Sequence, residues 1–281
     1  MKFLLLSIGT RGDAEPFLAV GDLLQRAGHE VIIALPAQFR HLAEDAGLAF
    51  EPLDERFLKL LDGQVARDFM GQRGNWFKRI FQLARLAKTS LSVQKDMIRE
   101  QRDLIVRHAP DRVLYHPKCL VSRAWGMGFP ERAICLSPVP NILHPVRDYP
   151  HIGITRALGG WGNWQSFWLI NRVTARMVVK YVKPFAADFP DADLRSSAVY
   201  HHMLNRERTL YLISPTLSPR PEHWPDHAQV MGYFERPKTG NWSPPPELTD
   251  FLARFGEDRV TFITFGSMVN ATPEALSLIH I

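Results

Sequence analysis

The alternation of buried strands and amphipathic helices in the first 53 residues constrains the fold more than any other feature of this sequence. Short apolar runs at residues 2–8, 30–35 and 48–53 predict strands, and helical patterns at residues 15–27 and 37–46 separate them. Connections this tight require parallel strands with right-handed crossovers. The pattern therefore predicts an α/β fold with a Rossmann-like, doubly wound parallel sheet.

The rest of the chain extends this pattern. Strands are predicted at residues 111–115, 131–136, 209–213 and 228–231, and an aromatic-rich helix at residues 164–185. Residues 54–110 read as a helical insertion. Residues 138–160, rich in proline, glycine and histidine, predict a long loop, and such a loop in a compact domain is usually functional or mobile.

A proline-rich stretch predicts the domain organisation. Residues 234–246 contain five prolines and glycines in thirteen positions, a composition typical of a stiff linker. After it come a predicted helix, a strand at residues 259–265 and the Gly266-Ser267 pair. We therefore expect a domain at residues 1–233, a linker at 234–246, and a truncated start of a second α/β domain at 247–281, so that the chain is a fragment.

Composition excludes several classes of protein. With 46% hydrophobic residues among 281, the chain can bury a core and is not globally disordered. Two cysteines, Cys119 and Cys135, cannot form a disulfide scaffold, and they favour a reducing compartment. No apolar run predicts a transmembrane helix or a signal peptide, so we expect a cytoplasmic protein.

Positive charge is concentrated in one segment. Residues 67–107 contain ten Lys or Arg and four Asp or Glu, whereas the net charge of the whole chain is only +5. Residues 76–91 predict an amphipathic helix with Lys78, Arg79 and Arg85 on one face. Either this helix packs on the sheet with its basic face in water, or it contacts the inner face of an anionic membrane peripherally. No nucleic-acid-binding module is recognisable, so nucleic acid is not an expected partner.

The loop Gly9-Thr10-Arg11-Gly12-Asp13 is the sharpest candidate site. It joins the first strand to the first helix, at the sheet edge where open α/β folds bind ligands. Glycines allow close approach of a ligand, and the helix amino terminus offers free N–H groups. The spacing fits neither the dinucleotide fingerprint nor a P-loop. For Asp13 the alternative role is that of the helix N-cap.

The other polar candidates are weaker. The histidines show no zinc-binding spacing, so no metal site is expected. Most of them, including His144, His151 and His202, read as loop or surface residues. His116 is the exception, because it follows a predicted strand at the cleft edge. Cys119 lacks any nucleophile signature and reads as a buried small hydrophobe.

Eight short segments in a fixed order resemble one family. They are Gly9-Thr10-Arg11-Gly12-Asp13, Gly28-His29-Glu30-Val31, Ala34-x-Pro36, Gly47-Leu48-x-Phe50, Ser214-Pro215-Thr216-Leu217 with Trp224-Pro225, Val230-Met231-Gly232-Tyr233, Pro245-Pro246 and Phe265-Gly266-Ser267-Met268. Together they resemble the amino-terminal domain of the glycosyltransferase family 28 and sterol glucosyltransferase group, which has the GT-B fold.

The resemblance implies an activity and a set of roles. It implies an inverting hexosyltransferase that moves a sugar, expected to be UDP-linked, to a hydroxyl of a lipid, sterol or other hydrophobic acceptor, without a metal cofactor. This chain would be the acceptor half. Asp13 would be the general base with Thr10 as its helper, and Gly9, Arg11, Gly12 and His116 would contact substrate. Gly266 and Ser267 would face the donor diphosphate.

A second hypothesis stays open. The chain could instead be a non-catalytic domain that binds a hydrophobic acceptor or a membrane and needs a partner for the donor chemistry. Because the family's later donor motifs would follow residue 281, we expect the chain alone to transfer no sugar.

Overall fold

The computed structural model describes residues 1–56, 93–154, 156–237, 243–255 and 259–261. Their strands are β1 (Lys2–Leu6), β2 (Glu30–Pro36), β3 (Ala49–Leu53), β4 (Arg112–Tyr115), β5 (Ala133–Ser137), β6 (Thr209–Tyr211) and β7 (Ala228–Val230). Their helices are α1 (Arg11–Arg26), α2 (Arg40–Asp45), α3 (residues 93–108), α4 (Leu120–Gly128), α5 (Gly159–Val182), α6 (Ser196–Asn205) and α7 (Pro246–Phe255). A short 3-10 turn at Ala37–Phe39 precedes α2, and another at Lys183–Asp188 follows α5.

The strands form one parallel sheet of seven strands in the order β3-β2-β1-β4-β5-β6-β7. The chain builds outward from β1 in one direction through β3, and then in the other direction through β7. The order therefore reverses between β1 and β4, which leaves a crevice at their carboxyl ends. The predicted α/β class with a doubly wound parallel sheet is confirmed.

The sheet has a hydrophobic core on each face, as a parallel sheet covered by helices requires. Successive side chains of β1 point to opposite faces, so Leu4 and Leu6 enter one core while Phe3 and Leu5 enter the other. Side chains from α3, α4, α5 and α6 fill the first core, and α1 and α2 cover the second. The four apolar side chains of β1 are at most 7% exposed, which explains the unbroken apolar run in the sequence.

Several predicted boundaries differ from the observed ones. Helix α1 begins at Arg11, a turn earlier than predicted, and Pro16 lies inside it. The sequence patterns did not predict α4 or α6. Residues 259–261 are not in a strand, and the remainder of the strand predicted there lies outside the described residues.

The interpretation of the histidines as loop or surface residues was wrong for His202, which is buried in α6, whereas His144 and His151 lie in a loop, as predicted, but are buried there. His144 is 1% exposed, and His151 and His202 are each 6% exposed. The first two lie in the segment between β5 and α5, which folds back over the sheet and carries its polar groups inward. His144 is held there by Tyr211, whose hydroxyl lies 2.8 Å from its Nδ1 atom.

Some predictions fall outside the described residues. These are the basic helix at residues 76–91, the Gly266-Ser267 pair and part of the linker at residues 238–242. The proposed domain boundaries stay predictions. Within the described ranges, no helix combines the length and apolarity that crossing a bilayer demands.

Candidate functional site

The loop between β1 and α1 is shaped by Gly9. Its φ angle of +145° is one that side chains other than glycine rarely adopt. A Cβ atom at this position would lie 2.0 Å from Oδ2 of Asp13. Gly9 therefore provides both the backbone conformation and the space that the Asp13 carboxylate occupies.

Asp13 is held at the start of α1, although it is not the N-cap. Thr10 is the N-cap, and Asp13 occupies the third helical position. The Asp13 Oδ2 atom accepts a hydrogen bond of 2.8 Å from the Thr10 backbone N–H. The Thr10 hydroxyl donates to the same oxygen at 3.4 Å. This is a capping-box arrangement, in which the third residue of the helix binds back to the N-cap backbone.

The fold brings two residues from the end of β4 to this carboxylate. Nε2 of His116 lies 3.3 Å from Oδ1 of Asp13, and Nζ of Lys118 lies 3.9 Å from Oδ2. The Lys118 backbone N–H donates to Nδ1 of His116 at 3.2 Å. In a neutral ring the proton is then on Nε2, the atom that faces Asp13. No described residue forms an aligned hydrogen bond with this Nε2 atom.

The electrostatics of the three residues leave Asp13 charged and His116 neutral at pH 7. Burial opposes the charged carboxylate, but the contacts with His116 and Lys118 and the Thr10 N–H outweigh it, so the pKa of Asp13 is lowered. Burial also lowers the pKa of His116, and the nearby carboxylate offsets this only in part. The Asp13 side chain is 17% exposed and that of His116 only 1%, so of these two only Asp13 offers a surface to a substrate.

The remaining predicted residues of the loop lie elsewhere. Arg11 is mostly exposed and pairs with Oε1 of Glu15 at 3.0 Å, on the outer surface of α1. The other carboxylate oxygen of Glu15 accepts from Arg236, which fixes the segment after β7 to α1. Gly12 has room for a side chain, because a Cβ atom there would meet only the Thr10 hydroxyl at 3.7 Å. Neither residue contacts Asp13, and their predicted contact with substrate stays a prediction.

A cavity of about 430 Å³ lies beside this cluster. Ile8, Pro117 and Lys118 line it next to the Asp13 loop, and α3, α4, α5 and the segment before α5 enclose the rest. Most of its lining is apolar, and its size is in the usual range for small-molecule sites. Lys118 belongs both to the cavity wall and to the Asp13 cluster, whereas Asp13 and His116 do not line the cavity themselves.

Two polar side chains of the cavity hold its wall together. Asn171 on α5 donates to the Leu143 carbonyl at 2.8 Å. Nε2 of His151 lies 2.9 Å from the Ile142 carbonyl oxygen, and Nδ1 of the same ring accepts a hydrogen bond from the Gly153 N–H at 3.0 Å. Asn171 fixes the segment before α5 against the helix, and His151 joins two parts of that segment to each other.

Sequence reasoning missed Lys118, Gln101 and the buried pair of Arg123 with Glu207. Nε of Arg123 donates to Glu207 at 2.7 Å and Nη2 donates at 3.1 Å, and both side chains are 1% exposed. Lys118 has a local signal, because it follows His116 by two residues. The other three carry none, since α4 was not predicted and Glu207 lies far along the chain.

Cys119 is fully buried, as predicted, and burial raises the pKa of its thiol to about 12. The thiol therefore stays protonated at neutral pH and is a packing group. Among the described residues, no three histidine, cysteine or acidic side chains are grouped in a way that could hold a metal ion.

Residues 3–109 match the model of the glycosyltransferase family 28 N-terminal domain. This part of the chain is similar to a family 28 N-terminal domain. The resemblance inferred from the ordered motifs is therefore confirmed. The match covers β1 to α3 and thus includes the Asp13 loop, whereas His116 and Lys118 lie just beyond it.

Curated relatives extend the similarity beyond the family 28 domain. A sterol 3-beta-glucosyltransferase of Aspergillus oryzae is 25% identical over 289 aligned residues, which cover 99% of this chain. One of Saccharomyces cerevisiae is 26% identical over 275 residues and 95% of this chain. The chain spans only about a fifth of the length of these relatives, at 19% and 22%.

Solved structures share the fold. The calicheamicin glycosyltransferase CalG4 has a TM-score of 0.51 and 15% identity, with 87% of this chain and 54% of that chain covered. The glycotransferase of kitacinnamycin gives a TM-score of 0.50 and 15% identity, with coverage of 87% and 55%. The predicted GT-B architecture is supported by these two structures.

Proposed function

We propose that this chain is the acceptor-binding half of an inverting glycosyltransferase, with Asp13 as its general base. The observation that carries the proposal is the charged Asp13 carboxylate at the crevice between β1 and β4, 3.9 Å from Nζ of Lys118, a residue that lines a largely apolar cavity. Open α/β sheets bind ligands at this crevice. The family 28 match and the sterol glucosyltransferase relatives support glycosyl transfer as the reaction.

The acceptor would be a hydrophobic molecule that carries a hydroxyl group. Its apolar body would fill the cavity enclosed by α3, α4 and α5, and its reactive hydroxyl would lie at the Lys118 edge, beside Asp13. The sterol acceptors named for the relatives have this chemistry. The donor would be a nucleotide-diphosphate sugar, for which we propose UDP as the nucleotide.

The reaction requires one proton transfer at Asp13. As the acceptor oxygen forms its bond to the anomeric carbon, its proton moves to the carboxylate. The bond from the anomeric carbon to the diphosphate oxygen breaks, and its electron pair leaves with the diphosphate. Attack opposite the leaving group inverts the anomeric configuration. For the donor diphosphate we propose contacts with Gly266 and Ser267, which lie outside the described residues, as the family resemblance implies.

His116 acts through Asp13 in this proposal. Its Nδ1 atom accepts from the Lys118 N–H, so the proton of the neutral ring is on Nε2, which lies 3.3 Å from the carboxylate. A neutral, buried ring in this tautomer orients Asp13 without neutralising it. His116 is therefore a positioning residue, and Asp13 is the group that touches substrate.

The Asp13→Asn variant tests the base. Asparagine keeps an oxygen that accepts the Thr10 N–H, so the start of α1 is preserved while the base is removed. We expect turnover in the longest natural form of the protein to fall by roughly 100-fold or more. The matched control is Asp22→Asn, because Asp22 lies on the same helix and pairs with the exposed Arg26. Near-normal turnover in Asp13→Asn together with reduced stability would mean that Asp13 only completes the capping box of α1.

A second test addresses the cavity directly. Thr174 on α5 lines the cavity, and Thr174→Trp would fill much of the space. We expect calorimetry with a sterol to show binding to the unaltered chain and loss of binding in this variant. Leu217→Ser, a change at a side chain that is 75% exposed, is the control. Equal sterol binding in all three proteins would place the acceptor elsewhere.

Contact with an anionic membrane is a second proposed function, and one face of α5 favours it. Trp161, Trp168 and Leu169 on this face are 76%, 44% and 52% exposed. Arg172 and Arg176 share the face, and the sequence of α5 contains no acidic residue. Exposed tryptophans among basic residues are typical of helices that lie on lipid surfaces. The basic segment at residues 76–91, which suggested the same contact, lies outside the described residues.

A further inference from the structure

We propose that the cavity recognises a second hydroxyl group on its ligand, through Gln101 and Arg123. The inference rests on the proposed function, because it takes the cavity to be the acceptor site. It narrows the acceptor to a hydrophobic molecule with two separated hydroxyls, one beside Asp13 and one at the floor of the cavity.

The first observation is that both side chains line the cavity and carry buried polar atoms without partners. Gln101 and Arg123 are each 1% exposed. Oε1 of Gln101 and Nη1 of Arg123 are buried, and neither has a hydrogen-bond partner among the described residues. A buried polar group without a partner is costly, and nearly all such groups in folded proteins are satisfied. In contrast, the cavity residues Asn171 and His151 bond to the cavity wall.

The second observation is the charge state of Arg123. Its Nε and Nη2 atoms both donate to Glu207, so the positive charge is already balanced. The remaining Nη1 is a hydrogen-bond donor in a neutral pair, and Gln101 supplies an acceptor. A hydroxyl group both accepts and donates, so it offers the donor that Gln101 Oε1 lacks and the acceptor that Arg123 Nη1 lacks. A carboxylate would accept from Nη1, but it would place a second negative charge near Glu207 and leave the Gln101 oxygen without a donor.

The third observation is where the pair lies in the fold. Helix α3 leads into β4 and α4 follows it, so both helices run from the carboxyl edge of the sheet towards the amino edge. On α3, Gln94 is the cavity residue nearest the carboxyl edge and Gln101 is the farthest, about two turns or roughly 10 Å deeper. On α4, Arg123 lies one turn deeper than Leu120. Both side chains therefore belong to the floor, and Lys118 belongs to the rim.

A matched pair of steroids tests the inference on the chain itself. Androst-5-ene-3β,17β-diol has hydroxyls at both ends, and androst-5-en-3β-ol has only one. We expect the chain to bind the diol roughly tenfold or more tightly in calorimetry, because the hydroxyl satisfies two buried groups that the mono-ol leaves unpaired.

The test variant is Gln101→Leu, since changing Arg123 would strand the Glu207 charge. It should bring the two affinities to within about twofold of each other without lowering the midpoint of thermal unfolding, because it removes an unsatisfied oxygen from the interior. Gln94→Leu makes the same chemical change at the rim. It should shift both affinities alike and leave the roughly tenfold ratio in place.

The possible results separate this inference from the proposed function. If the unaltered chain binds both steroids equally, or if Gln101→Leu keeps the preference for the diol, the second-hydroxyl site is wrong and the hydrophobic acceptor site stands. If neither steroid binds, the acceptor cavity itself is refuted, and the inference falls with it. A preference for the diol that disappears only in Gln101→Leu supports both.

Discussion

The Asp13 carboxylate lies 3.3 Å from Nε2 of His116, across the point where the strand order of the sheet reverses. Asp13 lies in the first turn of the helix after β1, and His116 directly follows β4. The parallel pairing of β1 with β4 aligns Leu6 with Tyr115, so the loops that follow these residues meet. A charged carboxylate and a neutral imidazole thus meet at the crevice between β1 and β4.

The first prediction concerns the effect of Lys118 on the pH profile. Its ammonium group helps to hold the pKa of Asp13 below the ordinary value of 3.8. A base must be unprotonated, so activity falls as pH drops through this pKa. Lys118→Met should raise the pKa of Asp13 and move the acidic limb of kcat/KM to higher pH. The pH dependence of kcat/KM measures this shift.

The matched control for this prediction is Arg11→Met. This variant removes one positive charge from the Asp13 loop, but Arg11 pairs with Glu15 rather than Asp13. The acidic limb should keep its position in this variant. If the acidic limb of kcat/KM does not move in Lys118→Met, a group other than Asp13 determines the position of that limb.

The second prediction compares the two glycines of the Asp13 loop. Gly9→Ala would force a Cβ atom to within 2.0 Å of Oδ2 of Asp13 and strain a backbone with positive φ. We expect it to lower stability by about 1–3 kcal/mol and to reduce turnover by displacing the carboxylate. Urea unfolding and a transfer assay measure the two effects.

Gly12→Ala is the internal comparison. Gly12 lies in the first turn of α1 with ordinary space around it, so alanine should stabilise the protein by about 0.5–1 kcal/mol through its helix propensity. Similar losses of stability in the two variants would contradict the role assigned to Gly9.

The third prediction concerns the buried pair of Arg123 and Glu207. Burial raises the pKa of Glu207, but Arg123 outweighs it and lowers the pKa overall. The pair therefore stabilises the fold above the ordinary carboxyl pKa, and this contribution is lost as pH falls through the lowered value. Glu207→Gln should cost about 3–5 kcal/mol at pH 7, because it leaves a buried guanidinium without its counter-charge.

Chemical denaturation at pH 7 measures this cost, with Asp193→Asn as the control. Asp193 pairs with Arg195, but these side chains are 43% and 78% exposed. Exposed pairs contribute about 1 kcal/mol or less. Equal effects of the two substitutions would mean that the buried pair is better solvated than its position indicates.

The fourth prediction tests membrane contact in the described part of the chain. Co-sedimentation with phosphatidylserine vesicles should be lost when Trp161 and Trp168 are changed to serine. It should also weaken with salt, since the screening length falls from about 10 Å at 0.1 M to about 3 Å at 1 M. Leu217→Ser changes an equally exposed apolar side chain off this helix and should have no effect. Equal pelleting of all variants, or none at low salt, would leave α5 without a lipid role.

A separate variant tests the segment outside the described residues. Changing Lys78, Arg79, Arg85 and Lys88 to glutamate should also release the protein from anionic vesicles if that helix contributes to docking. Full binding by this variant would confine the contact to α5.

The sequence by itself determined the sheet, the crossovers and the position of the Asp13 loop. These features follow from local patterns: unbroken apolar runs form strands buried on both faces, and a loop after such a strand must lie at the carboxyl edge. It also marked His116, because that residue follows a strand. Helices α4 and α6 were missed, since their buried positions are mixed with polar residues such as Ser122, Arg123 and His202.

Only the tertiary structure decided what these residues contact. The approach of His116 and Lys118 to Asp13 depends on which strands become neighbours, and the Arg123–Glu207 pair and the cavity floor depend on how separate helices pack. Such contacts join residues far apart in the chain, and each is stabilised by surroundings that no local pattern records. The sequence shows which side chains can carry chemistry. The burial and the neighbouring charges that shift their pKa values arise from packing across the sheet.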